Sequence, residues 1–452
     1  MPIEDTISQS AGRNQSDSSE PIGALREGAP KRGPKLLFLA YGFPPCNASS
    51  AVRTWNIAKY LARRGWEVTV VTPHPSVWRQ AGSDAEFRAI LEQEGVRRIE
   101  TGFAWRCLSP GLNSFAAAGI GRLIGRAFRR VAWNLSIENE IGWIGEAAKA
   151  CDGLTPEDVD VILASGPPFV AFRLAKRLAD RLGRPYVLDY RDPWTGNPHR
   201  DRPDRASIVA EEERLLRDCA GVTIVSDCLA AALDERFRLG SKLHVITNGY
   251  DPEHLDKVEP YPFGHFAIVY TGIFYPPKRV ITPVMAALQR LKATGSTAGA
   301  EWRFHFYGSE EQHVCEAAQR FGVQDRVVCH GHVPRKEALS AVRGAGITVV
   351  ITSVEATSAL VDRGIVPGKV FEALGLGTPT LLIAPPDSDV GAIMETSEAA
   401  RRFTGSDVEG MASFIADAIC GRLPRPKKPD MYAWTNLASA MDSVLRCAIR
   451  PN

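Results

Sequence analysis

The stretch GIVPGKVFEALGLGTPTLLIA, residues 364–384, decides the fold class. A loop leads to Pro367-Gly368, which open a helix, and Gly375, Gly377 and Pro379 then stop it ahead of the short apolar run TPTLLIA (378–384). A helix that ends in a glycine turn and passes straight into a Leu- and Ile-rich strand is one repeat of an α/β fold. The same alternation runs upstream through FAIVYTG (266–272), EWRFHFYG (301–308), RVVCHG (326–331) and GITVVIT (346–352). A first series precedes it: KLLFLA (35–40), EVTVVT (67–72), DVILAS (160–165), YVLDY (186–190), GVTIVS (221–226) and LHVIT (243–247). Short strands separated by helical segments predict parallel sheets with crossover helices, here as two Rossmann-like halves in tandem.

The expected organisation is an N-terminal arm over 1–33, a first domain over 34–250, a linker over 251–265, a second domain over 266–428 and a closing segment over 429–452. The arm is rich in Ser, Gly, Glu and Asp and nearly free of large apolar residues, which predicts disorder. The stretch between Tyr250 and His265 is rich in Pro, Tyr and Asp, as a linker would be. Met431 to Ala448 carries Trp434, Leu437, Ala438, Met441, Val444 and Leu445 at helical spacing, the mark of an amphipathic helix.

Composition narrows the function. A chain of 452 residues, 44% hydrophobic and 23% charged, falls in the globular range, and at roughly 100 to 200 residues per domain it holds two or three domains. With 54 Lys+Arg against 52 Asp+Glu the formal net charge is +2, too little for a general nucleic-acid binder. Nine cysteines, none spaced as CxxC, fit a reducing compartment and offer no zinc site. Residues 1–33 lack the apolar core of a secretory signal, and no apolar run reaches the roughly 18 residues of a membrane span. The expectation is a cytoplasmic protein, soluble or peripheral on the inner face of the cytoplasmic membrane.

In open α/β sheets ligands bind beyond the carboxyl ends of the strands, so the residues just past each strand are the ones to read. After the first strand, AYGFPPCNASSAVRTW (40–55) joins a Gly-Pro-Pro loop to a helix. Small residues such as Gly42 and Ser49 there let backbone N–H groups approach an anion, and Arg53 follows one turn on. The same residues read equally well as a loop with Ser49 or Ser50 as helix cap. No GxGxxG stands at this turn, which argues against a nicotinamide or flavin enzyme.

In 364–384, a helix N-terminus with Lys369 in its first turn can take a diphosphate. Glu372, three residues on, can accept hydrogen bonds from ribose hydroxyls. The plainer reading makes Lys369 and Glu372 a solvated pair. In TGIFYPPKRVITP (271–283), Gly272 ends a strand, and Lys278 and Arg279 form a pair of cations able to stabilise charge on a departing phosphate. YVLDYRDPW (186–194) places Asp189, Arg191, Asp192 and Trp194 at a strand end, suited to a sugar or to phosphates with Trp194 as stacking platform; a pairing of Arg191 with Asp192 that holds the loop is the alternative. Ser165 and Gly166 end another strand.

Between 104 and 135, apolar residues at Ile120, Leu123, Ile124, Phe128 and Val131 oppose Arg122, Arg126, Arg129 and Arg130. A basic amphipathic helix over 119–133 suits an anionic membrane surface or a lipid-linked substrate, and suits equally a helix packed on its own domain. His330 and His332 lack partners at metal spacing. Asp158-Val159-Asp160 and Asp387-Ser388-Asp389 read as loop or cap residues rather than as a metal-binding DxD. GxSxG, HExxH and GxxxxGK[ST] are absent, against hydrolases and P-loop NTPases.

Taken in order, the first-strand segment to EVTVVT, DVILASGPP, PYVLDYRDPW, VITNGYD, IVYTG, FYGSEE, HGHVPRKEAL and PGKVFEALGLGTP resemble bacterial glycosyltransferase family 4, from Lys35 to Leu445. The resemblance implies a GT-B fold with parallel sheets facing across a cleft and a C-terminal helix crossing back onto the first domain. It also implies a retaining, metal-independent hexosyltransferase that needs no cofactor. By position Glu372 would bind the donor ribose, Gly368 and Lys369 the diphosphate, and Lys278 or Arg279 the leaving phosphate. Gly42 and the loop to Ser50 would line the cleft.

Three features depart from the family. Gly364 stands eight residues before Glu372, where a glutamate usually contacts the donor sugar. Asn47-Ala48-Ser49-Ser50 replaces a double glycine, and Ser165-Gly166-Pro167 stands where a histidine is common. The form GxxPxKxxEALGxGxP resembles enzymes of polysaccharide or lipid-linked oligosaccharide assembly. The leading expectation is therefore a transferase from a UDP- or GDP-sugar to a hydroxyl of a glycan or lipid-linked acceptor. The missing glutamate and histidine raise the alternative of a noncatalytic GT-B-like partner in a glycan assembly complex.

Overall fold

The computed structural model describes residues 33–46, 50–78, 82–104, 125–127, 130–132, 138–197, 204–295, 297, 299–355, 359–424 and 426–450. Two wholly parallel sheets carry the fold among these residues. The first runs in the order β3-β2-β1-β4-β5-β6-β7, with β1 Lys35–Ala40, β2 Glu67–Pro73, β3 Arg97–Thr101, β4 Val161–Gly166, β5 Tyr186–Tyr190, β6 Gly221–Ile224 and β7 Leu243–Val245. The second runs β10-β9-β8-β11-β12-β13, with β8 Phe266–Thr271, β9 Trp302–Tyr307, β10 Val327–Cys329, β11 Ile347–Ile351, β12 Thr380–Ile383 and β13 Ala400–Phe403. Each sheet reverses its strand order once, between β1 and β4 and between β8 and β11. Those reversals open the two crevices where an α/β sheet binds ligands.

The continuous apolar runs have a packing reason. Leu36, Phe38 and Ala40 point to one core layer, shared with the helix Ser50–Arg63, and Leu37 and Leu39 to the other, shared with the helices Gly142–Ala150 and Val170–Leu182. A parallel strand covered on both faces needs apolar residues at every position rather than every second one. β8 repeats the arrangement, Ile268 and Tyr270 on one side and Ala267 and Val269 on the other. Register follows, with Phe38 beside Val70 and Leu163 and Val349 beside Tyr270 and Leu381.

Two strands escape the reading of apolar runs. β3 (RRIET) and β13 (ARRF) are edges, paired on one side only, to β2 and to β12. An edge tolerates and benefits from charge, so each carries two arginines and lacks the signal that marks interior strands.

The C-terminal helix spans Trp434–Ile449, and all six apolar residues expected to face the core are buried. They pack with Leu36, Phe38 and Ile57 of the first domain, so the helix crosses back onto it. The crossing is stitched to the outgoing chain: Tyr250 N donates to Tyr432 O and Trp434 N to Tyr250 O, both at 3.0 Å. The stretch after Tyr250 is not a free connector. It contains a short helix, Pro252–Leu255, and Tyr261 N donates to Ser340 O at 2.9 Å. No helix among the described residues is long and apolar enough to cross a membrane.

Candidate functional site

At the crevice of the first sheet the charged residues satisfy one another. Asp189 is fully buried and accepts from Arg53 Nη2 at 2.6 Å and Nε at 3.1 Å, from Ser165 Oγ at 2.7 Å and from Thr223 Oγ1 at 2.8 Å. Arg53, 3% exposed, donates its remaining N–H groups to Ile246 O, Thr247 O and Asn248 Oδ1. All five guanidinium donors are thereby used. Burial alone would raise the Asp189 carboxyl, but Arg53 and the two hydroxyls outweigh it and hold the group below its ordinary range.

This corrects the expectation that Arg53 and Asp189 face an acceptor: they are a buried structural pair joining β5 to the helix Ser50–Arg63 and to the chain leaving β7. Trp194 is corrected likewise. It is 1% exposed and lies parallel to Phe169 at 5.2 Å, with the Arg173 guanidinium over its ring at 5.2 Å. A ring so enclosed cannot stack on a sugar. Arg191 N donates to Gly166 O at 2.9 Å and its side chain donates to Pro167 O, clamping the loop after β4; burial pushes its guanidinium down to about 10. Asp192 is exposed beside it. Gly42 is buried, its carbonyl accepting from Thr54 Oγ1 at 2.7 Å. Ser49 lies outside the described residues, and the helix starts at Ser50.

The crevice of the second sheet is built differently. β8 is followed directly by Gly272, whose φ of 142° favours glycine. A Cβ there would overlap Lys369 Nζ, so the missing side chain is the space the lysine amine occupies. Lys369 is the second residue of the helix Gly368–Leu376. Burial pushes its amine down to about 8; Glu372 partly offsets the fall and Arg279 adds to it. Gly368 faces open space, so the first amides of this helix are approachable.

Lys278 and Arg279 follow in the loop after β8. Lys278 Nζ donates to both carboxylate oxygens of Asp362 at 2.9 Å, and its carbonyl accepts from Val354 N at 2.8 Å, which ties this loop to the one after β11. Arg279 lies over the Tyr275 ring at 5.1 Å, and its buried Nε has no partner among the described residues. Glu372 is held by Arg335, through Nη2 at 2.6 Å and Nε at 3.2 Å, both on Oε1. Arg335 also contacts His254 Nε2 at 3.2 Å. Glu372 is thus half of an ion pair with Arg335 rather than with Lys369.

The structure brings Gly272, Arg279, Lys369 and, one helical turn on, Glu372 to one crevice, with Lys278 on the same loop. Asp362 and Arg335 are further members that no sequence motif marks. Gly364 explains the absent glutamate sterically: a Cβ there would meet Leu229 Cγ at 2.7 Å and Leu229 N at 3.0 Å. The acidic dipeptide repeats act as caps, Asp158 on Thr155 N at 2.9 Å and Asp160 on Lys35 N at 2.7 Å, while Asp389 accepts from Cys228 N at 2.8 Å across the domains. His330 ends a chain of three imidazoles, with His305 Nδ1 at 2.9 Å and His265 beyond. Of 119–133 only 125–127 and 130–132 are described; Arg126, Arg130 and Val131 are exposed there.

Two family models match the chain. A glycosyl transferase 4-like domain covers residues 50–249 and a glycosyl transferases group 1 domain covers 265–432. Among solved structures, sucrose-phosphate synthase from Thermosynechococcus elongatus aligns with a TM-score of 0.57 at 14% identity, over 91% of this chain and 98% of that one. Anabaena HepE in complex with UDP aligns with a TM-score of 0.53 at 14% identity, over 92% and 97%. The lipopolysaccharide outer core galactosyltransferase WaaB aligns with a TM-score of 0.52 at 11% identity, over 91% and 99%. No curated protein matches the chain by sequence. Two domain models in tandem over two parallel Rossmann-like sheets, with the last helix returned to the first, make the chain a glycosyltransferase of the GT-B type.

Proposed function

We propose that the protein transfers a sugar, with retention of configuration and without a metal, from a UDP- or GDP-sugar to a hydroxyl of a glycan or lipid-linked acceptor in polysaccharide biosynthesis. The observation that carries the reading is the Lys369 amine seated over Gly272, beside Arg279 and the open start of the helix Gly368–Leu376. As the bond from the sugar C1 to the phosphate oxygen breaks, negative charge grows on the departing diphosphate. Fixed cations and helix amides aimed at that point stabilise it without reorganising. Glu372, oriented by Arg335, takes the ribose hydroxyls, and Lys278 and Arg279 meet the leaving phosphate. UDP bound to HepE, a structure of like fold, supports a nucleotide donor.

A thermal-shift screen with UDP, GDP, ADP, TDP and their sugars, with and without chelator, tests the reading. Stabilisation by one nucleotide that survives chelator is expected, at about 2.7 kcal/mol when ligand is a hundred times Kd. No shift with any nucleotide would overturn the donor site, and loss of the shift on chelation would overturn the metal-free mechanism. Glu372→Ala should weaken nucleotide binding; unchanged affinity and turnover would remove the ribose role. Peripheral membrane contact through 119–133 predicts that neutralising Arg122, Arg126, Arg129 and Arg130 releases the protein from anionic vesicles.

A further inference from the structure

The lysine placed at the leaving phosphate is held by a segment that is itself docked on the other domain. Lys278 Nζ donates to both oxygens of Asp362, whose side chain is only 8% exposed. Asp362 belongs to the short helix Leu360–Arg363, and that helix packs on Asp227–Phe237 of the first domain. The seat is tight: Ser226 Oγ donates to Gly364 O at 2.8 Å, Val361 packs against the first domain's core, and Gly364 leaves no space for a side chain against Leu229. Only Asp362 and Arg363 lie between the docked Val361 and Gly364, so Asp362 cannot be placed independently of the dock.

We infer that docking of Leu360–Gly364 on the first domain sets the position of Lys278, with Asp362 as the positioning residue that transmits it. The inference rests on the reading of Lys278 as the leaving-group lysine. A five-residue turn carrying both the dock and the carboxylate is the contiguous element such coupling requires. It also gives the position of Gly364 a purpose in this chain, as the floor of the interdomain seat. Asp362→Asn keeps the shape of the side chain and removes its charge. Ser226→Ala removes one docking bond, and Gly364→Ala adds a methyl group against Leu229.

The first measurement reads Lys278 directly, as the rate of its acetylation by an N-hydroxysuccinimide ester in the intact folded protein, followed by peptide mass spectrometry. Loss of the Asp362 pair should raise that rate about tenfold in Asp362→Asn, because the amine is no longer held by charged hydrogen bonds to two carboxylate oxygens. Ser226→Ala and Gly364→Ala should raise it in the same direction. The double variant Asp362→Asn/Gly364→Ala should be no faster than Asp362→Asn, because both act through one contact. Wild-type labelling in folded Ser226→Ala and Gly364→Ala overturns the coupling, as does full additivity in the double variant; if Gly364→Ala does not fold, Ser226→Ala decides.

The second measurement reads sugar transfer. A displaced Lys278 should lower kcat by up to about a hundredfold with the Kd of the nucleoside monophosphate unchanged, and Asp362→Glu should restore part of it. Raised labelling without any change in kcat would leave the coupling standing and overturn the leaving-group role of Lys278. These two failures are therefore distinguishable.

Discussion

The two crevices share a strand order and use their charges in opposite ways. Beyond β4 and β5, Arg53 and Asp189 are buried against each other and every guanidinium donor is taken. Beyond β8 and β11, Lys369 sits over a glycine with its amine weakened by burial, and Arg279 keeps a buried Nε without a partner among the described residues. The first crevice holds a fold together, and the second leaves the buried Arg279 Nε unmatched among the described residues.

The sharpest way to break that contrast is to remove one partner in each crevice. Asp189→Ala should cost about 3 to 5 kcal/mol in denaturant unfolding, because it strands Arg53 as an uncompensated buried charge. The linkage has the same sign. The carboxyl is depressed in the fold, so its contribution is present above the ordinary carboxylate range and is lost as pH falls through the folded value, as acid unfolding of the wild type against the variant would record. Trp194→Ala should cost a similar 3 to 5 kcal/mol, roughly the usual loss for a buried aromatic, while acceptor KM stays unchanged per folded enzyme. A KM effect without a stability effect would return Trp194 to the acceptor site.

In the second crevice the larger effects fall on binding. Gly272→Ala should weaken nucleotide binding about ten- to a hundredfold by calorimetry, since the new methyl group displaces the Lys369 amine and its charged hydrogen bond. Nucleotide affinity in the wild type should hold below pH 8 and fall as pH rises through about 8, where Lys369 loses its proton. Folding linkage runs the other way: a depressed lysine is a penalty below about 8 that is relieved as pH rises toward the ordinary lysine value. The smallest effect is expected at Arg335, 44% exposed in its pair with Glu372. Arg335→Ala should change stability by less than about 1 kcal/mol, as surface pairs do, while nucleotide Kd rises.

Interior strands were legible because burial on both faces demands apolar residues at successive positions, as in Leu36–Ala40 and Leu381–Ile383. The edge strands β3 and β13 were not, because pairing rather than composition makes them strands. PGKVFEALGLGTP announced its helix start, its lysine and its carboxylate through local chemistry. Asp362, 84 residues from Lys278, and Arg335, 37 from Glu372, announced nothing, since a salt bridge between distant segments leaves no spacing to read.

By itself the sequence determined two Rossmann-like halves, an amphipathic C-terminal helix and a cation-bearing crevice in the second half. Those follow from periodicity, turn residues and helix-start chemistry, which act over a few neighbours. The tertiary structure alone decided which charges are available. Arg53 and Lys278 are both cations in the segment that follows the first strand of a sheet-forming half, and only the fold brings one to a buried aspartate with every donor matched and the other to a carboxylate on an interdomain seat. Availability is set by desolvation and by partners far along the chain, and neither is a local property of the residue.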